Sequence, residues 1–451
     1  MPVIGGTGVY DVRLDLPPAQ LATQPDGKQV ADLRAAAKAD NVQLGFFRRG
    51  TISGVVFDDE NGNGKKAGSE PGLAGVQLYL DADNDDKQDP DEPTTFSDGT
   101  GKYKFFQQGP GMQTVRPVAL ESGQFVTTVG GGVSSQLVSG ESLTNRHLGL
   151  CTRGSVSGNV FDDVDADGDL DRGDPGVAGR RVYVDLNGDG AFNADEAPFS
   201  TLTDSSGNYL LDRLLEPGEQ RISHVAPAVW TVSSPKNNFY SLTVTSGSLL
   251  SGKNFGGFKD TSIAGAVGED VNGNGKLDLV EPKLKSWQVF LDLNLNGTRQ
   301  TDEPLQTTDS DGAFLFTDLK PGTYHVREIL QSGWALVDPK SIDQDRTLIS
   351  GQAATDAVFA NYRPATITGT VFDDFNGDEG KDASEVVRPD PTVYLDTNRN
   401  GAKDTGEPSA LTHALGNYVF GNLRPGAYSV RTLPAAGEIA LPAVDGIRTS
   451  S

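Results

Sequence analysis

One pattern, Asp-x-[Asp/Asn]-x-[Asp/Asn] closed by an acid at the twelfth place, occurs eight times in the 451 residues, in four pairs whose members start 22 residues apart. The first members read DENGNGKKAGSE (59–70), DVDADGDLDRGD (163–174), DVNGNGKLDLVE (270–281) and DFNGDEGKDASE (374–385), with starts separated by 104, 107 and 104 residues. The second members read DADNDDKQDPDE (81–92), DLNGDGAFNADE (185–196), DLNLNGTRQTDE (292–303) and DTNRNGAKDTGE (396–407). A low-complexity acidic tract does not hold such a register. A folded module carrying two loops at fixed places does.

Other landmarks keep the same period. An Asp-x-x-Gly turn with an aromatic two residues on recurs at Asp98, Asp204 and Asp309, with His413 in the fourth copy. A Pro-Gly turn follows at Pro110, Pro217, Pro321 and Pro425, leading in the last two copies into the alternating strands TYHVR (323–327) and AYSVR (427–431). Closing strands read HLGL (147–150), NFGGF (254–258) and VFANY (358–362). These marks divide the chain into modules at 50–152, 153–260, 261–364 and 365–451, the last lacking its closing strand. GVYDVR (8–13) and NVQLGFF (41–47) match late parts of a module, so residues 1–49 read as the C-terminal half of another. The chain is expected to be cut from a longer array at both ends.

The segments flanking the loops decide the fold class. ISGVVF (52–57), VSGNVF (156–161) and ITGTVF (367–372) are rich in β-branched and aromatic residues, and VQLYLD (76–81) and RVYVD (181–185) alternate with period two. Pro and Gly in EPGLAG (70–75) and DPGVAG (174–179) leave no room for an amphipathic helix between the loops. About seven short strands per module predict an all-β chain, a tandem array of immunoglobulin-like β-sandwich modules of about 105 residues. Residues 28–40, KQVADLRAAAKAD, form the one stretch with a helical pattern.

The loop spacing carries chemistry. A calcium ion takes six to eight oxygens, and a twelve-residue loop supplies them from places 1, 3, 5, 7 (main-chain carbonyl), 9 and 12, with a sharp turn at 6. In the first module the ligand set is Asp59, Asn61, Asn63, Lys65 and Glu70, then Asp81, Asp83, Asp85, Lys87, Asp89 and Glu92. In the second it is Asp163, Asp165, Asp167, Asp169, Asp171 and Asp174, then Asp185, Asn187, Asp189, Ala191, Asn193 and Glu196. In the third it is Asp270, Asn272, Asn274, Lys276, Asp278 and Glu281, then Asp292, Asn294, Asn296, Thr298 and Glu303. In the fourth it is Asp374, Asn376, Asp378, Asp382 and Glu385, then Asp396, Asn398, Asn400, Ala402, Asp404 and Glu407. Place 7 contributes its carbonyl whatever its side chain, which is why lysine and alanine stand there. Asp86 and Glu379 occupy the turn place that glycine fills elsewhere, and loop 374–385 is expected to be the weakest site.

Charge location argues the same way. The loops hold 34 of the 62 acidic residues and nine lysines or arginines, so the formal net charge of -24 resides in them and the remainder is nearly neutral. Asp, Asn and Gly also make good turns at strand ends, which is the plainer reading of any one loop. Eight loops in fixed register, each with an acid at place 12, favour divalent cations, and many carboxylate and carbonyl ligands favour Ca2+ over magnesium. The turn aspartates Asp98, Asp204 and Asp309 read as turn caps, with additional ligation as the alternative.

VFDDENGNG, VFDDVDADGDLD, TDSSGNYL, TDSDGAFLF and KPGTYHVR resemble the B-type repeats of serine-aspartate-repeat surface adhesins, the SdrD B-like domains within the Cna B-type sandwich group. The resemblance implies calcium-stiffened stalk modules that hold a binding region away from a bacterial surface, and hence an extracellular location. Some relatives carry a Lys-to-Asn isopeptide bond. The first strands GVVF, GNVF, GAVG and GTVF here have no lysine, so that bond is not expected.

An acidic chain is a poor partner for nucleic acid. No apolar run reaches the roughly 20 residues that cross a bilayer, and the single Cys151 rules out a disulfide framework and a thiolate zinc site. His147, His224, His325 and His413 stand at non-equivalent places, and no G-x-S-x-G, P-loop or H-E-x-x-H motif is present. A non-catalytic calcium-binding stalk is the favoured function. An array that recognises an extracellular protein or glycan is the alternative, although Trp230, Trp287 and Trp334 share no platform position.

Overall fold

In the computed structural model residues 9–13, 15–17, 20–22, 28–32, 43–337, 344–435 and 444–448 are described. They are strand and turn throughout, with two short 3-10 segments, Val129–Gly131 and Ala194–Phe199. Packing divides the chain into two compact units, residues 1–162 with 168–228 and 232–257, and residues 258–451 with 163–167 and 229–231.

The first module sets the pattern. One sheet orders Gln124–Val126, Leu148–Thr152, Gly50–Asp58 and Ser142–Leu143, with Lys102–Gln108 also paired to Gly50–Asp58. The facing sheet orders Val133–Leu137, Gly111–Pro117, Gln77–Asp81 and Thr94–Phe96. Alternation places the core: along Lys102–Gln108, Tyr103 and Phe105 are buried while Lys102, Lys104 and Phe106 face solvent. With Ile52, Val56, Leu78, Leu80, Val115, Leu137 and Leu148 they fill the space between the sheets. The third module repeats the arrangement around Ile263, Val267, Trp287, Val289, Phe314, Phe316 and Phe359. In the fourth, Ala365–Thr370 pairs with Asn417–Leu423, opposite a sheet ordered Ser409–Leu411, Thr392–Leu395, Ala427–Thr432 and Val444–Arg448.

Two features of this topology position the loops. The closing strand runs parallel to the first strand, pairing Leu150 with Asp58, Gly257 with Asp162 and Asn361 with Glu269, so the chain leaves a module beside the start of its first loop. An isolated bridge then closes that loop in all four modules, at Phe57–Gly72, Phe161–Gly176, Gly268–Lys283 and Phe372–Val387.

Two sequence expectations change. Lys28–Asp32 is a strand, antiparallel to Val9–Arg13, where a helix over 28–40 was expected; residues 33–40 lie outside the described residues. Pairing with a neighbouring strand overrides local helix propensity, as tertiary context commonly does. Strand count also rises from seven to nine in the first module. The extra ones, such as Ser142–Leu143, are too short to leave a period in the sequence.

Candidate metal centres

All eight loops share one main-chain shape. Place 6, expected to turn sharply, has φ between +64° and +90° in every copy, including Asp86 (+65°) and Glu379 (+64°). Place 4 is also left-handed in every copy, and here the residues are Gly62, Asn84, Ala166, Gly188, Gly273, Leu295, Gly377 and Arg399. The sequence reading missed place 4. Its only signal is glycine in four of the eight copies, because alanine, leucine and arginine accept this strained conformation elsewhere.

Place 1 opens each loop from a strand end and is buried in seven of them: Asp59, Asp81, Asp163, Asp185, Asp270, Asp292 and Asp396. Its carboxylate accepts the N–H of place 6, as from Gly64 to Asp59 (2.6 Å), Gly275 to Asp270 (2.6 Å), Gly297 to Asp292 (2.8 Å) and Gly401 to Asp396 (2.9 Å). The acid at place 12 closes the loop by accepting the N–H of places 2 and 9. Glu92 takes Ala82 and Asp89, Glu281 takes Val271 and Asp278, Glu303 takes Leu293 and Gln300, and Glu385 takes Phe375 and Asp382. Glu196 and Glu407 do the same with Leu186 and Asn193, and with Thr397 and Asp404. Glu70 accepts the N–H of Ala67, and Asp174 that of Asp171. Loop 374–385, expected to be the weakest, keeps the same hydrogen-bond frame with Glu379 at its turn.

The side chains of places 3, 5 and 9 converge within the ring. Nδ2 of Asn272 and of Asn274 both lie 2.9 Å from Asp278 Oδ2, and Nδ2 of Asn398 and of Asn400 both lie 2.6 Å from Asp404 Oδ2. Asn376 reaches Asp378 and Asp382 at 3.0 Å, Asn187 and Asn193 reach Asp189, and Asn294 reaches Gln300. In the acid-rich copies carboxylates face one another: oxygens of Asp81, Asp83 and Asp85 lie within 4.8 Å of each other, as do those of Asp163, Asp165 and Asp167. Oδ1 of Asp81 is buried with no hydrogen-bonding partner. Place 7 turns inward through its main chain, with Lys65, Lys87, Ala191, Lys276, Thr298 and Ala402 donating N–H to place 5. An amide offers oxygen or nitrogen by a half-turn of its last side-chain bond, so Asn at places 3 and 5 can turn oxygens toward a cation. Such an oxygen-rich ring suits a hard divalent ion.

The second loops carry a residue that sequence reading overlooked. An arginine from the strand after the Pro-Gly turn meets the opening aspartate in each module: Arg116 Nε to Asp81 (2.6 Å), Arg221 to Asp185 (2.9 Å), Arg327 to Asp292 (2.8 Å) and Arg431 to Asp396 (2.6 Å). The signal was present as an arginine 35 or 36 residues after place 1, inside strands already noted for their alternation. Among the described residues no lysine or arginine pairs with Asp59, Asp270 or Asp374 of the first loops. Burial raises the Asp292 pKa, but the Gly297 N–H and the Arg327 guanidinium outweigh it and hold the carboxyl below its ordinary range. At Asp374 N–H donors alone, from Glu379 and Gly377, achieve the same.

The turn aspartates are capped. Asp98 Oδ1 accepts the N–H of Thr100 and Lys102, Asp204 that of Ser206 and Asn208, and Asp309 that of Asp311 and Ala313. These bonds pull Asp98 and Asp204 below the usual carboxylate range. Trp287 is core, edge-on to Trp334 at 5.4 Å. No helix among the described residues is long and apolar enough to cross a membrane.

Serine-aspartate repeat-containing protein D of Staphylococcus aureus (strain Newman) is 25% identical over 434 residues, covering 86% of this chain and 31% of its own length. Colossin-A of Dictyostelium discoideum is 25% identical over 442 residues, covering 92% of this chain and 4% of its own. The chain thus spans about a third or less of the relatives it matches. The major pilin subunit BcpA of Bacillus cereus overlays with a TM-score of 0.30 at 10% identity, covering 70% of this chain and 100% of that one. The sequence model of the SdrD B-like domain matches residues 50–152 and 261–362, so these two modules are similar to SdrD B-like domains.

Proposed function

We propose that this chain is a non-catalytic, calcium-binding structural array, a stalk or spacer of a cell-surface or secreted adhesin-like protein, with two cation loops in each module. The observation that carries this reading is the recurrence of one loop shape in eight places, with acidic or amide side chains at places 3 and 5, and at place 9 in every loop but that of Ala67, between opening and closing acids. Without a cation these carboxylates repel one another across a few ångströms, at roughly 1 kcal/mol or more per exposed pair. With Ca2+ in the ring, the residues named for each loop supply the oxygens. Ion binding to the folded state adds to its stability, by about 2.7 kcal/mol per site at a hundredfold excess over Kd.

The test is the melting temperature of the whole chain in calcium, in magnesium and in chelator. A rise of several degrees or more specific to calcium is expected. Equal melting in calcium and chelator would sink the proposal. The family resemblance and the modular sandwiches support placement outside the cell, where proteolysis and force reward stiffness. Trp287, buried between the sheets, offers nothing to a glycan.

A further inference from the structure

We infer that the first loop of each module, and not the second, is the joint to the module that follows, so that an ion in the first loop sets how firmly consecutive modules are held. The inference rests on the calcium reading above and adds a site that the reading does not contain.

The contacts recur at equivalent positions. Two residues before each new first strand, a linker residue is clasped by a Ser-Gly turn of the module it enters. Thr152 donates its N–H to Ser246 Oγ (3.0 Å), and its carbonyl accepts the Gly247 N–H (2.7 Å). Lys259 does the same with Ser350 (3.0 Å) and Gly351 (3.0 Å), and Arg48 with Ser139 (2.9 Å) and Gly140 (2.8 Å). The same serine then reaches a first loop: Ser246 N–H donates to the carbonyl of Glu60 (3.1 Å), and, within the second compact unit, Ser350 N–H to that of Val164 (3.0 Å). Glu60 and Val164 both occupy place 2. Place 4 abuts the Pro-Gly turn of the later module: a Cβ at Gly62 would lie 3.2 Å from Pro217, and one at Gly273 2.4 Å from the carbonyl oxygen of Pro425.

The first loop is also tied to the strand by which the chain leaves its module. Asp59 N–H donates to Leu150 (2.8 Å) and Asp270 N–H to Asn361 (2.7 Å), both on closing strands. The second loops are anchored elsewhere, with Asp185 N–H on Arg221 and Asp292 N–H on His325, in the opposite sheet of their own module. Drawing places 1, 3, 5 and 12 around an ion therefore orders the carbonyl at place 2 and the surface at place 4 that the next module touches. Coupling of this kind is reciprocal: a docked neighbour tightens the ion.

Hydrogen exchange on the full chain reads the joint directly. Calcium should slow exchange at Ser246–Gly247 and Ser350–Gly351 roughly tenfold or more. Asp59→Asn should abolish the effect at 246–247 and leave it at 350–351, whereas Asp81→Asn in the second loop should leave both. Exchange across 102–108 reports whether the first module keeps its fold in each variant. Gly62→Asn gives a second route that touches no ligand, since Asn84 holds the same main-chain shape at place 4 of the neighbouring loop (φ +61°). It should keep the calcium stoichiometry and lose the protection at 246–247. Calcium that stabilises the chain but leaves 246–247 unchanged, or equal losses from Asp59→Asn and Asp81→Asn, would overturn the joint alone. Calcium that changes neither melting nor exchange would overturn the calcium reading and the joint with it.

Discussion

The two loops of a module share a main-chain shape and differ in what faces their opening aspartate. In the second loop an arginine lies against the buried carboxylate, within 2.6 to 2.9 Å in all four modules. At Asp59 and Asp270 of the first loops, no lysine or arginine among the described residues does so, and N–H groups turn toward the carboxylate. A guanidinium cancels a full charge, whereas amide dipoles only spread it. The second loop therefore carries its own counter-ion and can hold its shape in calcium-poor solution. On the calcium reading proposed above, the first is the loop that responds to the ion, and by the inference above it is also the loop that reaches the next module.

Removing the arginine should erase the difference, and this is the largest effect expected. In chelator, Arg327→Met leaves Asp292 buried with an uncompensated charge, at a cost of about 3–5 kcal/mol. Calcium should return most of it, because the ion replaces the lost charge. Denaturant unfolding of the variant with and without calcium measures both numbers, and an equal loss in the two conditions contradicts the counter-ion role.

A pH experiment sharpens the comparison from the other side. Glu328 is buried at the end of Gly322–Glu328, hydrogen-bonded to Asn361 Nδ2 at 2.9 Å, and burial pushes its pKa from 4.5 up to about 7. Asn361 is the residue whose carbonyl supports the first loop at Asp270. A carboxyl whose folded pKa is raised favours folding while it stays protonated. Its contribution is complete below about pH 4.5 and is lost as pH rises through 7, by about 2–4 kcal/mol in all. In chelator the third module should thus melt lower at pH 8 than at pH 6, and Glu328→Gln should flatten that slope. A slope unchanged in the variant rules Glu328 out as its source.

The smallest effect tests the shape that the loops have in common. Leu295 holds place 4 at φ +63°, a conformation costing a residue with a Cβ roughly 1 kcal/mol or more. Leu295→Gly should stabilise the third module by about that amount, since glycine adopts it freely. Gly188→Leu, at the same place of the second module's second loop, should cost a similar amount, and unequal changes in calcium and chelator would show that strain and ion binding are coupled.

What could be read in advance divides along physical lines. The sandwich followed from alternation in segments such as VQLYLD, because burying one face of a strand forces period two. The convergence of side chains at places 3, 5 and 9 followed from spacing, because a chain curling round a point must present alternate residues to it. Arg327 stayed invisible because its partner lies 35 residues back and only strand pairing joins them. The strand at Lys28–Asp32 was missed because its partner Val9–Arg13, and not its own composition, fixes it. Ser246 reads as one more turn serine until the following module is folded against Glu60.

The joints are made largely from main-chain atoms: the carbonyls of Glu60, Val164 and Thr152, and the N–H groups of Ser246, Ser350 and Gly247. Such bonds do not ask which side chain stands at place 2, so glutamate and valine serve alike. A module that keeps these main-chain groups can then be exchanged for another at these seams whatever side chain it carries at place 2. The reach of an array built this way is set by counting copies and not by redesigning surfaces, and it can lengthen or shorten in a lineage one module at a time.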